Sequence, residues 1–190
     1  SDVMRAISED SANYATSEQQ ILSRNEEVVQ AASAKVPDFF GIVPNAPIEV
    51  RPLEAHRAPD APAAYYNSPP EDGSRPGIYY VNTYQPETRP LYNLRALAIH
   101  EAIPGHHLQI AIASELPEVH VWRRNAGQTA FVEGWALYAE LLADEMGLYP
   151  EPLDKFGMYN YQAWRAVRLV LDTGLHSKGW TRQQAIDFMT

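Results

Sequence analysis

The chain has 190 residues, 45% of them hydrophobic, enough for one good core in a soluble globular piece, and a formal net charge of −9. That charge leaves no basic stripe to meet phosphate, which excludes a nucleic-acid partner, and no run of about 18 apolar residues exists to form a membrane-spanning segment. With no cysteine, disulfides, thiolate zinc sites and cysteine nucleophiles are excluded; the compartment, cytoplasmic or exported, stays open because any signal peptide would lie outside this chain.

Residues 1–45 read as a helical arm. Ser17 with Gln20 makes a capping-box pattern, and Ile21, Leu22, Val28, Val29 and Ala32 keep helical spacing, which predicts a helix over 17–35. Most of the chain's 15 prolines lie between 37 and 90, which rules out long helices there. Residues 46–86 are expected to form a small antiparallel sheet, with short strands near 47–51, 63–67 and 77–83 and turns such as Pro69-Pro70-Glu71-Asp72-Gly73. In the last strand Tyr80 and Asn82 share a face. Peptidases often hold an extended substrate on a sheet edge, so these two are candidates for peptide binding. A plain half-buried strand explains the same pattern, given the strand preference of Tyr and Val.

Residues 88–190 turn helical, beginning with 91–115. This helix carries His100-Glu101-Ala102-Ile103-Pro104-Gly105-His106-His107-Leu108-Gln109. A carboxylate beside a metal-ligand imidazole is the core of a zinc hydrolase site, in which histidines hold the ion and the glutamate works on water. The usual H-E-x-x-H spacing puts its histidines one turn apart on one face. Here the spacings are six and seven; position i+6 is rotated about 120° from i, and i+7 lies about 10 Å further along the axis. Pro104 cannot donate to the carbonyl of His100 and Gly105 tolerates unusual backbone angles, so the helix should kink. With Pro104-Gly105 looped out the segment reads H-E-x-x-H, which favours His106 over His107 as the second ligand.

The next predicted helix, 127–146, places Glu133 and Glu140 seven residues apart on one face. A zinc site with two helix-borne histidines needs a third ligand, often a glutamate from a following helix, and Glu133 suits that role. Glu140 could hydrogen-bond the far nitrogen of a ligand histidine. Most helical glutamates simply face water, but Phe131, Val132, Trp135, Leu137 and Leu141 surround these two. A third helix, 152–175, presents Arg168, Asp172 and His176 on one face, with Gly174 permitting an end near His176. Asp172 could fix the tautomer of His176, which would then donate to a developing oxyanion, with Arg168 toward substrate. A surface ion pair with a helix-end histidine is the plainer alternative. A further helix starts at Thr181. His56 and His120 read as surface residues.

Three segments together, H-E-A-I-P-G-H-H-L-Q at 100–109, E-G-W-A-L-Y-A-E at 133–140 and D-T-G-L-H-S-K-G-W at 172–180, resemble the domain-of-unknown-function 885 family, a bacterial group regarded as zincin-like metallopeptidases. The spacing of the two glutamates is also similar to thimet-oligopeptidase-like and Taq-carboxypeptidase-like enzymes, and the Gly-His ending of the first motif to dipeptidyl peptidase III. The resemblance implies Zn²⁺ on His100, His106 and Glu133, with Glu101 as general base. It also implies a longer parent chain, of which this looks like a C-terminal portion that is weakly active or inactive without the missing regions. The expected fold is α+β, mainly α, with a zincin-like helical metal-site core and a small antiparallel sheet. The expected function is zinc-dependent peptide hydrolysis. Hydrolysis of a non-peptide amide or ester, or a non-catalytic fragment that binds partners, are the alternatives.

Overall fold

Ser17 starts the first long helix as the sequence predicts, with one change. Its Oγ accepts from the Gln20 N–H at 3.2 Å, while Gln20 Oε1 accepts from Thr16 N–H at 2.7 Å, one residue earlier than a capping box places that bond. In the computed structural model, residues 2–116 and 119–189 are described. The elements are α1 (Asp2–Glu9), α2 (Glu18–Phe39), β1 (Ile48–Pro52), β2 (Ala64–Asn67), β3 (Gly77–Val81), α3 (Leu91–Glu101), α4 (His106–Glu115), α5 (Val121–Asn125), α6 (Thr129–Glu145), α7 (Pro152–Ser177) and α8 (Arg182–Met189). The fold is α+β and mainly α, as expected.

The strands fall where proline and β-branched patterning put them, but the sheet is mixed rather than antiparallel. Its order is β1-β3-β2, with β1 parallel and β2 antiparallel to β3. A parallel pair needs a connection of a dozen or more residues, and 53–76, which contains β2, supplies it between β1 and β3. As a result β3 is the central strand, paired on both sides, while β2 keeps one side without a strand partner among the described residues and packs toward α3.

α3 lies at the centre of the molecule, packed against α2, α6 and α7. Leu94, Ala96, Ala98 and Ile99 are buried around much of its circumference, as a helix enclosed by others requires. Ile21, Val28, Val29, Ala32 and Val36 of α2 meet it on one side, and Met158 of α7 joins the same core. α7 crosses α3 so closely that a Cβ at Gly157 would lie 1.7 Å from the carbonyl oxygen of Tyr92. Arg95, 9% exposed, bridges the helices by ion pairs of 3.2 Å to Asp154 and 3.3 Å to Glu27.

The C-terminus of α7 corrects one reading. The helix runs to Ser177, and the glycine that stops it is Gly179, at φ +69°. Gly174 has a different duty: a Cβ there would stand 2.5 Å from the Trp180 ring, so the glycine lets the returning chain lie flat on the helix.

Candidate metal centre

The motif helix expected over 91–115 is two helices. α3 stops at Glu101, Ala102 leaves the helical region at φ −105° and ψ −100°, and α4 begins at His106. Pro104 has no N–H to continue the ladder. The link folds back: Gly105 N–H donates to Ile99 O at 3.0 Å and His107 N–H to Ala102 O at 3.0 Å. A Cβ at Gly105 would lie 1.9 Å from His100 O, so only glycine lets α4 start against the end of α3. This close restart sets the rings of His100 and His106 edge to face, with centroids 4.7 Å apart.

α6 brings Glu133 across both rings. His100 Nε2 lies 3.4 Å from Glu133 Oε2, and His106 Nε2 lies 3.6 Å from Oε1. One donor atom from each of the three residues lies within 4.8 Å of the others, a grouping able to hold a metal ion. Both histidines are buried, whereas the Glu133 side chain is 57% exposed.

Glu140, further along the same face of α6, is 0% exposed, and its Oε1 lies 2.7 Å from His100 Nδ1. Arg165 of α7 donates to both carboxylate oxygens, at 2.7 and 2.9 Å. Burial pushes the Glu140 carboxyl up to about 7, against the lowering pull of Arg165. Arg165 Nη2 also lies 3.1 Å from His100 Nδ1. The shorter contact decides the tautomer: a lone pair on Nδ1 would face a carboxylate oxygen at 2.7 Å. Nδ1 therefore carries the proton and Nε2 presents its lone pair to Glu133. Burial, then Arg165, lowers His100 to about 4; burial, then His100, lowers His106 to about 4. Both imidazoles are thus neutral at ordinary pH. His106 Nδ1 is buried and has no partner among the described residues.

Glu101 follows His100 at the end of α3, where its Oε2 accepts the Tyr66 N–H of β2 at 3.0 Å. Burial pushes its pKa up to about 7, the Tyr66 N–H opposing. Tyr161 stands nearby with Arg165 stacked 5.2 Å from its ring centre, and burial raises its phenol to about 12.

His107 is turned away from this cluster. Its Nε2 lies 3.0 Å from Ala46 O, which can only accept, so Nδ1 receives the Tyr66 hydroxyl at 2.9 Å. Burial lowers its pKa, in keeping with a neutral ring. Gly77 leaves room for it: a Cβ there would lie 2.7 Å from His107 Nδ1. His107 ties α4 to the loop before β1 and to β2.

The other candidates stand apart. Asn82 is 2% exposed, and its amide is taken up by the carbonyls of Ala58, Ala61 and Pro62 and by Tyr84 N–H, so it braces a loop instead of facing a cleft. Tyr80 is half-buried and stacks 5.1 Å from Tyr65, on a strand with no free edge. Arg168 lies over Trp164 at 4.9 Å. Asp172 and His176 form a 3.6 Å pair with side chains 75% and 78% exposed; His176 is about 16 Å along α7 from Arg165. His56 pairs with Glu54 at the surface, and His120 caps α5. Sequence reasoning missed Arg165, Tyr66 and Tyr161. The signal for Arg165 was present: a glutamate in so apolar a helix needs a cation, and the neighbouring helix carries one.

No curated protein matches the chain. A crystal structure described as "the putative lipoprotein from Colwellia psychrerythraea" superposes with a TM-score of 0.92 at 38% identity, covering 98% of this chain and 33% of that one. A second, "a putative lipoprotein of unknown function from Shewanella oneidensis", gives 0.75 at 25% identity, covering 97% and 34%. The chain thus spans about a third of the length of the solved structures it matches. The profile of a bacterial protein family of unknown function, DUF885, matches residues 1–190, and the chain belongs to that family.

Proposed function

We propose that this chain carries the site of a zinc-dependent hydrolase that cleaves peptide bonds. The observation that carries the reading is the meeting of His100 Nε2, His106 Nε2 and the Glu133 carboxylate. With Nδ1 protonated, His100 turns its Nε2 lone pair toward the Glu133 carboxylate at 3.4 Å, an approach that a cation among the donors would make favourable. Two neutral imidazoles and one carboxylate form a common zinc ligand set with a position left for water.

Zinc, when bound, supplies Lewis-acid activation of water and of a substrate carbonyl. The chain's own residues do the rest. Glu140, clamped by Arg165, holds the ring of His100 in one tautomer and orientation. Glu101, held by the Tyr66 N–H, takes the proton of the attacking water and passes it to the leaving amine. Tyr161, beside Arg165, is better placed than the exposed His176 to meet a developing oxyanion. β2, with one side lacking a strand partner among the described residues, replaces β3 as the strand along which an extended peptide could lie. Among the described residues no helix is long and apolar enough to cross a membrane. The description of both relatives as lipoproteins supports an exported setting.

Elemental analysis of purified variants tests the site. His106→Ala is expected to lose zinc, and His107→Ala to keep it while losing stability, since His107 bonds Ala46 and Tyr66. Zinc loss only in the His107 variant would overturn the ligand set. Glu140→Gln is expected to weaken zinc binding about 10–100-fold, read by competition with a chelator. Unchanged affinity would show that the Glu140–His100 bond does not tune the site.

A further inference from the structure

We propose that the groove between α6 and α7 is the pocket for an apolar side chain of the substrate, next to the bond that is cut. This rests on the reading of His100, His106 and Glu133 as a zinc site. The groove has a volume of about 390 Å³, within the range of ligand pockets. Its walls are Gly134, Leu137 and Leu141 from α6 and Ala166 and Leu169 from α7. Leu141 and Leu169 are 46% and 74% exposed.

Continuity with the centre identifies the occupant. Glu133 is both a member of the histidine cluster and part of the groove wall. A substrate whose carbonyl lies at the centre therefore sets the adjacent side chain at the mouth of the groove. The charged groups on the wall, Glu133 and Arg165, are both turned to the centre, Glu133 onto the histidines and Arg165 onto Glu140. Apart from Gln162, what remains for an occupant is aliphatic, so the side chain that fits is uncharged and apolar.

Gly134 adds an independent argument. A glycine inside a helix costs stability. At Gly157 and Gly174 of α7 the reason is internal, because a Cβ would strike neighbouring atoms. At Gly134 a Cβ would meet nothing within 4 Å. No contact within the described residues requires this glycine, and its bare surface leaves the groove open beside Glu133. Gln162 also borders the groove, with its Nε2 buried and without a partner among the described residues.

The test uses hydroxamates, which bind zinc without being hydrolysed, titrated calorimetrically into the zinc-loaded protein. Affinity is expected to rise from acetohydroxamate to 4-methylpentanohydroxamate by at least about tenfold, given roughly fourfold per buried methylene. Gly134→Leu, which fills the groove, and Leu169→Asp, at a position exposed enough to accept it, should each abolish that preference. Zinc content and acetohydroxamate binding are read in parallel. Zinc-loaded protein with equal affinity for both compounds, or a preference that survives both substitutions, overturns the groove alone. Failure to bind zinc overturns the metal site and the groove together. In a chain of the relatives' full length, loss of the preference with acetohydroxamate binding intact would mean that other polypeptide fills the groove, and the proposal fails.

Discussion

Glu101→Gln is expected to retain zinc and to lose hydrolysis by about 10²–10⁴-fold, the usual contribution of a positioned acid–base group. The substitution is nearly isosteric, and the Gln Oε1 can still accept the Tyr66 N–H that holds Glu101 at 3.0 Å. Position and packing are therefore kept while the ability to take a proton is removed. Zinc content by elemental analysis and turnover of a peptide library separate the two effects. Substantial turnover in a zinc-loaded variant would remove Glu101 from the mechanism. Loss of zinc would show instead that this carboxylate holds the centre together.

Gly105→Ala has the largest expected structural effect. The added Cβ would sit 1.9 Å from His100 O and 2.3 Å from Ile99 O. Both are backbone atoms at the end of α3, with no side-chain rotation available to relieve the clash. Overpacking of this kind costs about 1–3 kcal/mol, or a fall of about 2–12 °C in Tm for a domain of this size. The same shift moves α4 away from α3 and separates His106 from His100. Zinc affinity should therefore fall together with Tm, measured by calorimetry and chelator competition on one preparation. A Tm loss with zinc affinity intact would mean that the link adjusts without moving His106, and the geometric account of the motif would be wrong.

The helices were legible because their signals are local. Ser17 caps α2 and Pro152 opens α7, as spacing and helix-start chemistry require. α1 lies inside the helical arm read over 1–45, ahead of the helix placed at 17–35, while α5 was not anticipated, because five residues are too few to show a helical period. Strand positions were readable from proline and β-branched residues, but their order was not, since no local pattern says that β3 inserts between β1 and β2. This is why Tyr80 and Asn82 looked like cleft residues: alternation gives faces, not edges. The choice of His106 over His107 followed from treating Pro104-Gly105 as an interruption. The partners of His107, Ala46 and Tyr66, are far away in sequence and could not have been read. The apolar setting of Glu140 announced that it needed a partner, and the partners turned out to be both His100 and Arg165.

The three donors of the centre differ in their freedom. His100 and His106 are fixed in the core, while Glu133 stands 57% exposed on α6. Rotation of this one exposed side chain would uncover the pair of imidazoles. An ion held here would come and go on the side of α6, at a rate set by how often the carboxylate swings out. Shortening it, as in Glu133→Asp, should speed metal exchange far more than it alters melting, because the anchoring histidines stay where α3 and α4 put them.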